Sequence, residues 1–108
     1  MEKARLARNG GEEMDLFGES VSISGDYAVV GVPGHDVWPY INSGSAFVYR
    51  RDGENWTEQA MLVADDAGGG DDFGHSVAID GDYIIVGAPG DDPQSSAYVF
   101  MRNGADWT

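Results

Sequence analysis

The side chains able to do chemistry in this 108-residue chain are mostly carboxylates: 19 aspartates and glutamates stand against six lysines and arginines and two histidines. Cysteine is absent, which excludes thiolate nucleophiles, disulfides and cysteine-held metals. His35 and His75 occupy unrelated places in the sequence, and both are expected to be surface histidines. No H-E-x-x-H or G-x-S-x-G string occurs, and Gly68-Gly69-Gly70 lacks the Gly-Lys-Ser/Thr ending of a phosphate loop. Among so many carboxylates a pair at glycosidase spacing can arise by chance. Glycoside hydrolysis is therefore a distant alternative, and the chain reads as non-catalytic.

Binding is the better use of what is present. Trp38 and Tyr40 flank Pro39 beside Asp36, placing two aromatic rings and a carboxylate on one loop. Such a set suits stacking on a sugar or a contact with a protein, the alternative being that the rings cover a sheet edge or the neighbouring blade. Asp91 and Asp92 stand in the corresponding loop further along and complete the candidate ligand-binding set. The acidic stretch from Asp65 to Asp72 could hold a hard cation loosely, although a solvated loop explains it as well. No cofactor is expected.

The net charge of −13 makes nucleic acid and anionic lipid unsuitable partners. It fits high solubility, a saline habitat or divalent cations. Half of the six bases, Lys3, Arg5 and Arg8, fall in the first eight residues. No apolar run is long enough to insert into a membrane, and no apolar core follows the N-terminal charges, so no signal peptide is read in this chain.

What must position these residues is a repeat. DLFGESVSISGDYAVVGVPG, Asp15 to Gly34, recurs as DDFGHSVAIDGDYIIVGAPG, Asp71 to Gly90, with 13 of 20 positions identical at an offset of 56. The offset then falls to 51, because five extra residues lie around Val37 to Ile41. GSAFVYRRDGENWT, starting at Gly44, then matches SSAYVFMRNGADWT, starting at Ser95. At the head of the chain Glu2, Ala4 and Leu6 align with Glu58, Ala60 and Leu62. Two units follow, 1–57 and 58–108, each beginning with an outer strand.

Within a unit the apolar pattern gives strands. Ser20 to Ser24 alternates as a half-buried strand does, and Gly25-Asp26 makes the turn. Tyr27 to Val32 and its partner Tyr83 to Ala88 are continuous apolar runs, expected to be covered on both faces and ended by Pro33 and Pro89. Ser45 to Arg50 and Ser96 to Met101 give a third strand. After a hairpin at Asp52-Gly53, a fourth strand is expected from Trp56 to about Ala64. Asp15, Asp71, Asp26 and Asp82 recur at turns, where aspartate bonds the backbone two residues on. The expected fold class is all-β: two four-stranded antiparallel blades of a β-propeller, with Gly31 and Gly87 allowing close approach. A two-sheet sandwich is the competitor.

Phe17-Gly18 with Gly31-Val32-Pro33, and Phe73-Gly74 with Gly87-Ala88-Pro89, resemble the FG-GAP repeat of integrin α-subunit propellers, in its bacterial and archaeal form. The resemblance covers both units. It implies a propeller, an extracellular or cell-surface location, and adhesion or binding of protein or glycan. Integrin-type repeats often hold calcium in a D-x-D-x-D-G cage. No such string occurs here, the corresponding loops reading Gly34-His35-Asp36 and Gly90-Asp91-Asp92, so no metal-site residues are assigned.

A propeller has about 4–8 blades, so two leave open faces. The segment Glu2, Lys3, Ala4, Arg5, Leu6, Ala7, Arg8 is expected to supply the outer strand missing from the second blade of another copy, closing a ring head to tail. Three copies are favoured and four possible. A structural or engineered propeller fragment with no ligand is the alternative.

Overall fold

The computed structural model describes residues 4–6, 16–65, 67–90 and 95–108. Eight strands follow one another: β1 (Ser20–Ser24), β2 (Tyr27–Val32), β3 (Ser45–Asp52), β4 (Asn55–Leu62), β5 (Ser76–Asp80), β6 (Tyr83–Ala88), β7 (Ser96–Asn103) and β8 (Asp106–Trp107). They form two antiparallel sheets in meander order, β1-β2-β3-β4 and β5-β6-β7-β8. The unit boundary at 57/58 falls inside β4, so the sequence repeat and the sheet are out of step by one strand.

Glycine sets the hairpins. Gly25 and Gly81 open the two-residue loops before β2 and β6 at φ of 55° and 58°, where a side chain would clash with its own backbone. The register is then the same in both sheets: Ser24 opposes Tyr27 and Ser20 opposes Gly31, as Asp80 opposes Tyr83 and Ser76 opposes Gly87. β3 and β7 are each two residues longer than the alternation alone predicts, and β4 ends at Leu62, short of Ala64.

The larger core lies between the sheets. Val29, Val48 and Leu62 of the first pack against Ile84 and Val86 of the second, together with Phe73 from the segment before β5. A second cluster of Val30, Val32, Phe47 and Tyr49 covers the far face of the first sheet, and Leu6, Phe17 and Trp56 close over it. That face is thus covered by the chain itself at Val30, Val32, Phe47 and Tyr49, while Val21 and Ile23 of β1 remain exposed on it. β2 is buried on both sides, as its apolar run predicts. β6 is not: Ile84, Val86 and Ala88 point inward while Tyr83 and Ile85 are exposed. The runs are equally apolar; what differs is that β6 has a covering layer on one side only.

Candidate functional site

The Phe-Gly and Gly-x-Pro motifs form one clasp. Phe17 and Phe73 end loops in which Leu16 and Asp72 take φ of 65° and 58°, and the following Gly18 and Gly74 take 93° and 98°. The N–H of each glycine donates to the carbonyl of Gly31 or Gly87, 3.1 Å away in both cases. The phenylalanine ring turns inward, Phe17 edge-on to Phe47 and Tyr49, Phe73 edge-on to Tyr98 and Phe100 at 5.5 and 6.1 Å. Pro33 is buried and Pro89 exposed at the ends of β2 and β6.

Asp71 corrects an expectation. It bonds backward: the Gly68 N–H donates to its Oδ2 at 2.7 Å, and the residue is almost wholly buried. Asp15, its counterpart, lies outside the described residues. Asp26 and Asp82 do stand in the Gly-Asp turns, but their carboxylates accept from an arginine, Arg51 and Arg102 respectively, at 2.7 and 2.6 Å. Sequence reasoning missed these arginines, although their recurrence at the same point of both units was a signal. Hydrogen bonding to Asp82 raises the Arg102 pKa further above its already high ordinary value.

The clasp of the second blade is seated on the first blade. The Ser20 hydroxyl donates to the Gly74 carbonyl at 2.8 Å. Ser22 Oγ accepts the Ile79 N–H at 3.1 Å, and Ser24 Oγ accepts the Gly81 N–H at 3.2 Å. A Cβ on Gly31 would overlap the Gly74 carbonyl oxygen. Further out, Tyr27 lies edge-on to Trp107 and beneath the Arg102 guanidinium, 5.1 Å from its ring centre. Trp107 Nε1 donates to Gln59 at 2.9 Å. This is a blade-to-blade interface, polar along β1 and apolar beyond it.

Both halves of that interface recur on the outside of the molecule. Val48 is fully buried between the sheets; its equivalent Val99 is 64 % exposed. Ile79 is 8 % exposed; its equivalent Ile23 is 65 % exposed. Tyr83, Ile85 and Met101 join Val99 on the outer face of the second sheet. Along the edge of that sheet, the β7–β8 register covers Arg102 and Asn103, whereas β3–β4 runs from Ala46 to Asp52. Met101 exchanges both backbone bonds with Thr108. Strand alternation therefore turns the N–H and C=O of Val99 and Ala97 toward the same edge. A groove of about 390 Å³ lies there, lined by Met61, Leu62 and Val63 on one side and Tyr98, Val99 and Phe100 on the other.

The expected closing strand is only partly within view. Glu2, Lys3, Ala7 and Arg8 lie outside the described residues. Ala4, Arg5 and Leu6 are described and, in the single chain, pair with no strand among the described residues. Leu6 does occupy the place the repeat assigns it, against the Phe17 cluster as its equivalent Leu62 lies in the Phe73 cluster.

The aromatic loop is ordered by its backbone. Asn42 N–H donates to Asp36 Oδ1 at 2.9 Å, Tyr40 N–H to the Val37 carbonyl, and Gly70 N–H to the Ile41 carbonyl. Trp38 is 90 % exposed, with Tyr40 and Ile41 also exposed, so these rings do not cover the sheet edge. His35 is half-buried, its ring tilted on Phe47 and its Nδ1 sharing a 2.7 Å hydrogen bond with Ser45 Oγ, which corrects its reading as a surface residue. His75 is exposed. Asp91 and Asp92 lie outside the described residues. No three metal-ligating side chains converge among the described residues, and no helix is long and apolar enough to cross a membrane.

Two four-stranded meanders, stacked face to face and locked by a recurring clasp, are consistent with two blades of a β-propeller. The FG-GAP repeat family matches the chain twice, over residues 1–49 and 56–100. The chain belongs to that family. No curated protein matches it.

Proposed function

We propose that this chain is a non-catalytic propeller module that self-assembles through strand exchange and serves as an extracellular or cell-surface scaffold for binding protein or glycan. The observation that carries the assembly is the reappearance of both halves of the internal blade interface on the outside. Full burial of a large aliphatic side chain contributes about 1.5–3 kcal/mol. Tyr83, Ile85, Val99 and Met101 on one face, and Val21 and Ile23 on the other, together weigh against an association cost of roughly 4–15 kcal/mol. Three copies complete six blades, and four complete eight.

The binding role is supported by Trp38, held out on an ordered loop beside Asp36. The non-catalytic reading is supported by how carboxylates are used: Asp26 and Asp82 pair with arginines, and Asp36 and Asp71 accept backbone N–H groups. Light scattering across a concentration series tests assembly. A plateau at three or four times the 11.6 kDa of one chain is expected, and a persistent single-chain mass ends the idea. A glycan array and a cell-surface protein panel test binding, with Trp38→Ala as the control; signals equal for both proteins remove Trp38 from the account.

A further inference from the structure

The interface inside the chain fixes how two copies would meet. At its centre Ser20 and Gly31 receive the Gly74 carbonyl: the hydroxyl donates to it, and the missing Cβ leaves it room. One blade on, Ser76 and Gly87 repeat this pair on the outer face, directly opposed across the β5–β6 ladder as Ser20 and Gly31 are across β1–β2. A Cβ on Gly87 would meet only the Ser76 hydroxyl closely, and that hydroxyl can rotate away. Within the chain, then, Gly87 is under less demand than Gly31, which faces a backbone oxygen.

We propose that Ser76 and Gly87 receive the Gly18 carbonyl of a second copy, in the register of the internal interface, while the β7 edge at Val99 and Ala97 pairs with Ala4 and Leu6 of that copy. This rests on the self-assembly reading above and specifies its geometry. The occupant follows from continuity. Val48 and Ala46 pair with Ala60 and Leu62 inside the chain, and the repeat places Ala4 and Leu6 where Ala60 and Leu62 stand.

The seam so formed is weaker than the internal joint, at two named points. Ala78 stands where Ser22 supplies a hydroxyl to the Ile79 N–H, so the equivalent Ile23 N–H of the second copy gains no partner there. Ser95 stands where Gly44, at φ 88°, lies against the Phe73 backbone. A Cβ at Gly44 would overlap the Phe73 carbonyl oxygen, so at Ser95 the Phe17 loop of the second copy must sit further out than the Phe73 loop does, while the Gly18 carbonyl keeps its seat on Ser76 and Gly87.

Gly87→Ala separates this geometry from assembly in general. It is expected to leave the strand circular dichroism of the chain unchanged and to lower the association constant about ten- to a hundredfold, the effect of overpacking one contact. Ala78→Ser with Ser95→Gly is expected to tighten association. The unaltered chain contains no cysteine, so Val99→Cys with Ala4→Cys gives a direct reading: disulfide-linked multimers are expected under mild oxidation. Multimers of the unaltered chain that ignore Gly87→Ala and yield no such link overturn the register but leave assembly standing. A monomer at high micromolar concentration overturns both.

Discussion

At the scale of single residues, the motif glycines are set by what lies beside them. Gly31 is pressed by a carbonyl oxygen of the next blade, and backbone cannot rotate away. Gly31→Ala is expected to destabilise the chain by about 1–3 kcal/mol through overpacking at the blade interface. Urea unfolding checks this, and an unchanged midpoint would mean that the blades separate at little cost. Phe73 is fully buried at the junction of both sheets, so Phe73→Ala is expected to cost roughly 3–5 kcal/mol. Phe17, partly exposed on the outer side, is expected to cost less when replaced. If the two substitutions prove equal in the same unfolding experiment, the burial difference between the clasps carries no energy. The clasp residues were legible in sequence because they recur with fixed spacing. The partners of Asp26, Asp71 and His35 were not. Each depends on which backbone or side chain the fold brings near, and nothing in local spacing distinguishes an aspartate bonded forward from one bonded backward or paired to an arginine 25 residues away.

At the scale of elements, β1 and β2 end where alternation and proline say they should, since turn glycines and Pro33 act locally. The outer strands were less legible. β4 ends at Leu62, short of the apolar run that continues to Ala64, and β8 pairs only Asp106 and Trp107 with β7. Each sheet is also tied across its end by one arginine. Arg51 N–H donates to the Asp26 carbonyl at 2.7 Å while its side chain pairs with the carboxylate, and Arg102 does the same with Asp82. An ion pair this exposed contributes little on its own. Arg102, however, also lies over the Tyr27 ring of the other blade. Arg102→Ala is therefore expected to lower the unfolding midpoint more than Arg51→Ala. Equal shifts in chemical denaturation would show that the contact with Tyr27 adds nothing to the joint between blades.

At the scale of the whole molecule, charge decides when copies can meet. Each chain carries −13, yet Ala4, Arg5 and Leu6 belong to a segment that also holds Lys3 and Arg8, so in the proposed assembly a cationic segment meets an acidic body. The two effects act over different ranges. At about 0.01 M salt the screening length is roughly 30 Å, comparable to the molecule, and the repulsion of all net charge is felt. Near 0.15 M it falls to about 8 Å, which silences distant carboxylates and leaves the pairs made at the strand itself. The apolar contacts that the proposed assembly gives Ile85 and Val99, both exposed in the single chain, are not weakened by added salt. Association is therefore expected to strengthen several-fold between these two salt concentrations, followed by sedimentation equilibrium. Arg5→Glu, which turns the local attraction into repulsion, is expected to weaken association at both. A constant that instead falls steadily from the lowest salt upward would mean that local ion pairing governs the contact, and that the acidic surface as a whole plays no part in controlling assembly.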